Sequence, residues 1–372
     1  MPDYRSPLLD WPGAVAADGP DAGVAWHYGD PLREQRAADS GAGLLDQSHR
    51  DVLIVPGPDR LGWLHTISSQ HLSDLADGDS TQALVLSPNG HVEQHWRVTE
   101  LDGQVWLDTE PGAGADVLAY LLKMRFLSQV EPAVVTADFA VVSVLGPQAG
   151  RVLDDAGLPV PADRALRLPG GGFTRRRPAA GGSGAGPADG TGDFDLIVAR
   201  PELEPIARRL VDAGAAPVGA WAGEALRAQR REPRLGVDTD HRTLPHEAGW
   251  IGSAVHLDKG CYRGQETVAR VQNLGKPPRR LVLLHLSGDS EQLPAPGSPV
   301  ERDGRAVGFV GTAAQHHELG PIALAIVKRT VSGDDPLTVP GHSAAIDPDD
   351  AHAAVQEGFA GHRAASPAAD GR

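Results

Sequence analysis

The feature that most constrains the fold of this chain is a pattern that occurs twice: an apolar strand, a Gly-Pro turn and a short helix. Asp51–Pro56 reads as a buried strand, and it is followed by Gly57-Pro58 and a short helical stretch. Ala140–Leu145 is followed in the same way by Gly146-Pro147 and the helical stretch Gln148–Ala156. The spacing of about ninety residues predicts two related α+β subdomains. Because Gly-Pro after a strand is common, two unrelated units remain an alternative.

Beyond Pro277-Pro278 the sequence changes to short apolar strands separated by glycine or proline, with no long helical stretch between them. This pattern predicts a small C-terminal β-barrel over residues 279–345, after a two-subdomain region over residues 25–278. Three segments contain little that a core could bury, and we expect them to be flexible. They are residues 1–24, a Gly-rich surface insertion at 169–192, and residues 346–372.

Composition limits the class of protein. The 34 Lys and Arg residues against 49 Asp and Glu give a formal net charge of −15, which disfavours a dedicated nucleic-acid binder. A single cysteine, Cys261, excludes an intrachain disulfide and is typical of a reducing compartment. No apolar run approaches the roughly 18 residues of a membrane span, and the first residues lack a basic and then apolar leader pattern. We therefore expect a cytoplasmic monomer with no membrane partner.

The chemistry is concentrated around Cys261, because Lys259 and Arg263 lie two residues to either side of it. In an extended segment the three side chains share one face, so both cations would lower the thiol pKa and favour the reactive thiolate. The alternative is a buried structural cysteine. The position of the sole cysteine between two cations favours function, with Cys261 and Lys259 as the catalytic pair.

The residues around this thiol add binding groups. Gly260 and Gly264 give the backbone freedom to approach a ligand closely. Gln265 and Glu266 place an amide and a carboxylate within one turn of the thiol, and Tyr262 adds an aromatic ring. The segment as a whole is therefore a candidate cofactor-binding site.

Lys259-Gly260-Cys261-Tyr262-Arg263-Gly264-Gln265-Glu266 resembles the K-G-C-[aromatic]-x-G-Q-E signature of the YgfZ family, which includes the mitochondrial Iba57 proteins. These are folate-binding relatives of the glycine-cleavage T-protein, an aminomethyltransferase. Thr243–Gly249 resembles the family's T-I-P-x-E-A-G stretch, and Leu44–Ser48 resembles its D-x-S region. With the strand-rich C-terminal segment, the resemblance covers about residues 25–330.

The resemblance implies two α/β lobes and a barrel around a central cavity that accepts tetrahydrofolate. It also implies an accessory role in the assembly or repair of iron–sulfur clusters, with effects on cluster-dependent enzymes that include tRNA-modifying ones. The expected partners are therefore a folate and iron–sulfur client or assembly proteins, with Cys261 at the rim of the cavity. Whether the protein is itself an enzyme is left open.

Two departures from the related sequences bear on the chemistry. The T-protein has an acidic pair after the loop that corresponds to Asn89-Gly90, and its carboxylate assists attack by the folate nitrogen. Here the nearest acid is Glu93, whose longer side chain would misplace that carboxylate, so aminomethyl transfer is disfavoured. In addition, Gln229 stands where the family's L-R-I-E-A-G-x-P helix has a glutamate that reads the pteridine, which predicts weaker or differently oriented folate binding.

Other residues near this helix are candidates for the folate site. Trp221 and Trp250 are the two tryptophans that we expect to stack on a pterin. Arg227 belongs to a local basic cluster that either anchors a polyglutamate tail or tRNA phosphate, or forms a solvated helix face. We expect no metal site, because His316 and His317 would point apart on a strand and no C-x-x-C spacing accompanies Cys261.

The leading interpretation is a folate-binding accessory protein for iron–sulfur proteins. One alternative is a folate-dependent aminomethyltransferase, which the missing acidic pair argues against. The other is a non-catalytic tRNA- or protein-binding module, which the net charge of −15 argues against.

Overall fold

The computed structural model describes residues 4–177 and 192–350, and these residues form two open sheets and a closed barrel. Its α-helices in chain order are α1 Pro31–Ser40, α2 Arg60–Ile67, α3 Gly114–Met124, α4 Ala149–Asp155, α5 Leu203–Asp212, α6 Ala220–Gln229 and α7 Gln265–Leu274. Short 3-10 helices lie at Pro7–Asp10, Gly19–Asp21 and Arg200–Glu202. The strands Val15–Ala16 and Ala25–His27 form a small antiparallel ribbon near the start of the described chain.

The two open sheets each contain one of the two strand–Gly-Pro–helix units. In spatial order, the first sheet consists of Ser80–Leu86, Val92–Leu101, Gln104–Thr109, Asp51–Pro56 and Ala133–Val134. The second consists of Leu166–Arg167, Gly172–Arg176, Phe194–Ala199, Phe139–Leu145, Gly43–Asp46 and Ala216–Val218. All neighbours are antiparallel except the last pair, which is parallel. The prediction of two α+β subdomains is therefore confirmed.

The Gly-Pro turns explain why the pattern repeats. Gly57 has φ +123° and Gly146 has φ +103°, and a side chain on either residue would collide with backbone. A Cβ at Gly57 would come within 2.1 Å of the Gln129 carbonyl oxygen, and one at Gly146 within 2.0 Å of the Ala38 carbonyl oxygen. Both positions therefore require glycine to connect a buried strand to its helix.

The C-terminal segment forms the predicted barrel. Its strands, in order around the barrel, are Arg279–Leu286, Gly320–Lys328, Arg305–His316, Pro299–Arg302, Leu337–Val339 and His342–Ile346. Fully buried aliphatic side chains such as Val282, Val310 and Ala325 fill its interior. A second apolar cluster joins the barrel to α6 through Ala225, Ala228 and Leu324. The barrel therefore packs on the lobe that contains the second sheet.

The expectation of a mobile insertion over residues 169–192 is wrong in its first part. Gly172–Arg176 is a strand of the second sheet, with Phe173 fully buried and Arg175 1% exposed. The Arg175 guanidinium reaches across to the first sheet and pairs with Asp108, and it also lies 3.1 Å from Asp195 of its own sheet. Two buried carboxylates therefore order a segment that looks unstructured by composition. Residues 178–191 lie outside the described residues.

The expectation of flexible ends is also wrong for the residues that the structure describes. Leu8 is buried in the core of the second lobe, and the Ser6 hydroxyl donates to Asp46 at 2.5 Å. At the other end, Asp347 and Asp350 accept hydrogen bonds from Arg231 at 2.8 and 3.0 Å. These contacts fix residues 4–24 and 346–350, whereas residues 351–372 lie outside the described part of the chain.

Candidate functional site

A cavity lies between the two lobes, bounded by both sheets, by α6 and by residues 230–250. Part of its wall is apolar, formed by Leu45, Leu145, Leu226 and Trp250. The rest is strongly charged. Its arginines are Arg50, Arg97, Arg177, Arg227, Arg230 and Arg234, and its carboxylates are Asp21, Asp46, Glu110, Glu224 and Glu232. A cavity with an apolar wall and several directional charges suits a polar, ring-bearing ligand.

Arg234 holds three parts of this wall together. Its guanidinium lies 2.9 Å from Glu110, 3.1 Å from Asp21 and 3.0 Å from Glu224. Burial alone would raise the pKa of the Glu110 carboxyl, but Arg234 and Arg50 outweigh burial and hold that pKa well below its usual range. Glu110 is therefore ionised at neutral pH, and Arg234 is a structural part of the wall.

Arg227 is similarly committed to protein partners. Its guanidinium pairs with Glu224 at 2.6 Å and with Asp238 at 2.7 Å, and it also reaches the Thr312 hydroxyl on the barrel. The side chain is buried, so the interpretation of this cluster as a solvated helix face is wrong for Arg227. Its donors are directed to buried acceptors because α6 is covered by the barrel.

Arg97 and Arg177 are held less closely by their neighbours. The shortest distances from Arg97 Nη1 to carboxylate oxygens are 3.4 Å to Asp195 and 3.8 Å to Asp108. Arg177 lies 3.6 Å from Glu232. Burial, together with the nearby charge of Arg177, lowers the pKa of Arg97 to about 10, so that this guanidinium stays charged at neutral pH. Two cations with long ion pairs provide donors for a carbonyl or carboxylate of a ligand.

His95 and Trp250 form the ring-bearing part of the wall. Their ring centroids are 5.1 Å apart with an interplanar angle of 38°, and His95 Nε2 lies 2.8 Å from Gln82 Oε1. Burial lowers the pKa of His95 to about 4, so its imidazole is neutral at pH 7. The cavity wall therefore contains a neutral imidazole and an indole, against which a heteroaromatic ring can pack.

The Lys259 ammonium group is buried and directed away from the thiol that it was expected to activate. It donates to the carbonyl oxygens of Ser68 at 2.6 Å and Gln70 at 3.1 Å, and also to that of His65. Burial lowers the pKa of Lys259 to about 8. The interpretation of Lys259 as a direct partner of the thiolate is therefore wrong, because all three of its N–H donors are taken by backbone.

Cys261 is exposed, in a loop that ends at α7. Arg263, on its other side, pairs with Glu93 at 3.0 Å, and both of these side chains are about 40% exposed. Glu93 therefore points to the signature segment, and it does not line the cavity. Exposure rules out the alternative of a buried structural cysteine.

The signature segment is packed closely against the Pro88-Asn89-Gly90 turn. Gly264 has φ +82°, and a Cβ there would lie 2.6 Å from the Ser87 carbonyl oxygen and 3.0 Å from Gly90 Cα. Gly260 differs, because a Cβ at that position would meet no atom within 4 Å. Of the two signature glycines, only Gly264 is required by its conformation and its surroundings.

Only part of the predicted folate set lines the cavity. Arg227 and Trp250 do, and the structure does not bring the others to it. The residues of that set outside the lining are Gln229, Trp221, Gly260, Tyr262, Gly264, Gln265 and Glu266. The thiol of Cys261, which we expect at the rim of the cavity, does not line it either.

The residues outside the lining have other surroundings. Trp221 stacks on Trp26 at a centroid distance of 5.6 Å. Tyr262 is buried with its ring 5.1 Å from Lys259 Nζ, and Gln265 donates to the Lys259 carbonyl at 3.4 Å. Tyr262 and Gln265 therefore stabilise the signature loop from within.

Sequence reasoning missed His95 and Arg97, which carry much of the cavity's polarity. They lie two residues apart on the strand Val92–Leu101, so the alternation of side chains along a strand places them on one face. That signal is present in the sequence, where a histidine and an arginine follow each other at i and i+2 after a hairpin turn.

The expectation that His316 and His317 point apart is wrong. Their ring centroids lie 4.6 Å apart with an interplanar angle of 33°, because the strand ends at His316 and His317 begins the turn.

In the described part of the chain, no helix is long and apolar enough to span a membrane.

Comparison with known proteins identifies the fold and its two domains. The structure superposes on the aminomethyltransferase T of the glycine cleavage system from Bartonella henselae with a TM-score of 0.78 and 21% sequence identity, covering 91% of this chain and 94% of that one. The fold is thus that of the aminomethyltransferase class. Residues 13–162 match the GCVT N-terminal domain, and residues 279–353 match the CAF17 C-terminal β-barrel domain. With both domains on one chain, the protein belongs to the CAF17/YgfZ/Iba57 family.

Sequence relatives agree with this assignment. The chain is 28% identical to an aminomethyltransferase of Herpetosiphon aurantiacus over 81% of its own length and 82% of the relative's. It is 29% identical to an aminomethyltransferase of Rubrobacter xylanophilus, with 88% of each chain covered. It is also 25% identical to a putative chloroplastic transferase of Arabidopsis thaliana, over 80% of its own length and 66% of that relative's.

Proposed function

We propose that this protein binds tetrahydrofolate in the cavity between its lobes and acts as an accessory factor in iron–sulfur cluster assembly or repair, with Cys261 as its reactive group. The observation that carries the folate part is the composition of the cavity. Its wall combines a histidine–tryptophan surface with two largely buried arginines, 12% and 9% exposed at their side chains, whose ion pairs are long.

A reduced pterin is a flat, polar heterocycle. This cavity contains groups that can contact its ring face and groups that can contact its polar edge. The His95–Trp250 surface provides a face for stacking, and Arg97 and Arg177 provide donors for the pterin carbonyl or for the glutamyl carboxylate. Family membership supports the same ligand, since the relatives that match most of this chain include aminomethyltransferases.

The proposal for Cys261 depends on its exposure. A thiol on the surface is open to a partner protein, whereas one thiolate alone does not retain an iron–sulfur cluster, which is usually held by four ligands. Cys261 would therefore act on a cluster or client transiently, and the cluster is cargo. The cavity and the thiol are separate features, since Cys261 does not line the cavity.

Aminomethyl transfer is the second candidate, because relatives covering up to 88% of the chain are aminomethyltransferases. It requires a carboxylate beside the folate nitrogen. Glu93, the acid nearest the corresponding hairpin turn, is paired with Arg263 outside the cavity lining, which argues against this activity.

The folate proposal is tested with a matched pair of tryptophan variants and calorimetric titration of tetrahydrofolate. Trp250→Leu removes an indole from the cavity wall, and Trp221→Leu removes one that stacks on Trp26 elsewhere. We expect Trp250→Leu to weaken binding about tenfold, the equivalent of about 1.4 kcal/mol. Trp221→Leu should bind as the wild type does. Absence of binding to the wild type, or equal loss in both variants, would refute the site.

Gln229→Glu provides a further control. Because Gln229 lies outside the cavity lining, restoring the family's glutamate should leave the affinity for tetrahydrofolate unchanged. A clear gain in affinity would show that the pterin lies elsewhere.

The cysteine proposal needs a separate test in cells that lack this protein. Cys261→Ala should fold, bind tetrahydrofolate as the wild type does, and fail to restore the activity of iron–sulfur enzymes. Restoration equal to that of the wild type would refute the thiol's role without affecting the folate proposal.

A further inference from the structure

A contact between the barrel and the first helix brings together three metal-binding side chains. The turn between the barrel strands Arg305–His316 and Gly320–Lys328 lies against α1. Gln35 of α1 is fully buried and fixes the register of this contact. Its Nε2 donates to the Gln315 carbonyl at 2.8 Å, and its Oε1 accepts from the His317 backbone N–H at 2.9 Å.

Asp39 lies one helical turn after Gln35, and it faces the His317 ring. His317 Nε2 is 3.4 Å from Asp39 Oδ2, and the His317 side chain is only 5% exposed. This nitrogen has no hydrogen-bond partner within the described residues. Buried side-chain nitrogens are nearly always hydrogen-bonded. The Asp39 carboxylate lies at ion-pair distance from this nitrogen but outside hydrogen-bond geometry, so an ion bound between the two groups would satisfy both.

Glu318 completes the group. One ligand atom from each of Asp39, His317 and Glu318 can be chosen so that all three lie within 4.8 Å of one another. The backbone of this turn is also fixed, because His316 Nδ1 accepts from the N–H groups of Glu318 and Leu319, both at 3.1 Å. The carboxylates are thus presented by a helix and by a braced turn.

We propose that Asp39, His317 and Glu318 bind a divalent first-row transition metal ion, with Zn²⁺ as the probe. One imidazole and two carboxylates are common ligands of Zn²⁺, at metal–ligand distances of about 2.0–2.2 Å. The three ligand atoms lie within 4.8 Å of one another, so small side-chain movements would bring them to these metal–ligand distances. Water would complete the coordination on the exposed side. The ion would join α1 of the N-terminal region to the barrel, so it would stabilise their relative position. This proposal is independent of the proposed function.

The test uses the full chain after treatment with a chelator, titrated with Zn²⁺ by calorimetry and with Co²⁺ by visible absorption. We expect one ion to bind per chain. His317→Gln and Glu318→Gln should each weaken binding by about tenfold or more. Zn²⁺ should also raise the thermal unfolding temperature of the wild type, because it binds only the folded chain. The same addition should have little effect on Glu318→Gln.

Two control variants remove other metal-binding groups. His241→Gln removes an exposed histidine elsewhere, and Cys261→Ala removes the only thiol, so neither should change Zn²⁺ affinity at this site. Because Glu318 is exposed, we expect Glu318→Gln to fold. This variant therefore tests the metal site even where His317→Gln fails to fold. Absence of stoichiometric binding, or binding that is unchanged in Glu318→Gln, would overturn the proposal.

Discussion

Replacement of Arg234 by methionine tests whether the charged cavity wall holds the lobes together. In the wild type its guanidinium makes contacts of 2.9–3.1 Å with Glu110, Asp21 and Glu224, which come from separate parts of the chain. Methionine keeps much of the volume and removes the charge. Three carboxyl groups on the cavity wall then lose their common cationic partner.

The magnitude follows from what each carboxylate retains. Glu110 keeps Arg50 at 2.9 Å, and Glu224 keeps Arg227 at 2.6 Å. Hydrogen bonds to charged groups contribute about 1.5–3 kcal/mol each, and breaking a buried ion pair costs about 3–5 kcal/mol. Because every acid keeps one cation or histidine, we expect a loss of about 3–5 kcal/mol in the free energy of unfolding, and not the sum of the separate bonds.

The assay is urea unfolding at pH 7, with Arg208→Met as the matched control. Arg208 pairs with Glu204 at 2.6 Å, but the two side chains are 63% and 37% exposed. That pair should contribute at most about 1 kcal/mol. A loss below about 1 kcal/mol for Arg234→Met, or equal losses in the two variants, would refute the reasoning.

The difference between Arg234→Met and the wild type should also depend on pH. The pKa of Glu110 is lowered in the folded wild type, so its stabilising contribution is present above the unfolded pKa of about 4.3 and is lost as the pH falls through the folded value. Without Arg234, the folded pKa of Glu110 rises toward its unfolded value. The stability difference should therefore be constant from about pH 6 to 8 and shrink below about pH 4.

Two further predictions concern the signature segment. Gly264→Ala should lower the free energy of unfolding by about 1–3 kcal/mol, because a Cβ there meets the hairpin backbone at positive φ, whereas Gly260→Ala should be nearly neutral; urea unfolding compares them. Lys259→Met leaves three carbonyl oxygens without their donor and should lower stability by about 1–3 kcal/mol at pH 7. Because the pKa of Lys259 is lowered to about 8, the wild type should gain stability relative to this variant between about pH 8 and 10, where only the unfolded lysine still binds its proton. An unchanging difference over that range would contradict the buried position of the ammonium group.

The parts of the fold that the sequence predicts are those encoded by neighbouring residues. The two strand–Gly-Pro–helix units and the strand-rich barrel each depend on local periodicity or on a turn residue. The helix Gln265–Leu274, which begins at the end of the signature, is not among the elements that the sequence predicts.

The parts that the sequence does not predict depend on contacts between distant residues. Arg175 is ordered by Asp108, 67 residues earlier, and Lys259 by carbonyls near residue 68, about 190 residues earlier. Neither partner is visible in the local pattern, so a buried arginine was interpreted as part of a mobile insertion. The cavity depends on such contacts throughout, which is why only Arg227 and Trp250 of its predicted residues lie in it.

Several residues of the signature segment attach its loop to neighbouring parts of the chain, and the Cys261 thiol between them is exposed. Lys259 attaches the segment to the loop after α2, Arg263 attaches it to Glu93, and Gly264 packs on the hairpin turn. All three attachments are to the first lobe, and they bracket the exposed Cys261 on both sides. A thiol held in this way loses little conformational entropy when a partner engages it, and it is not enclosed by ligands that would retain a cluster. This arrangement agrees with the proposed transient action of Cys261 on a cluster or client, because stable retention of a cluster would need further ligands around the thiol.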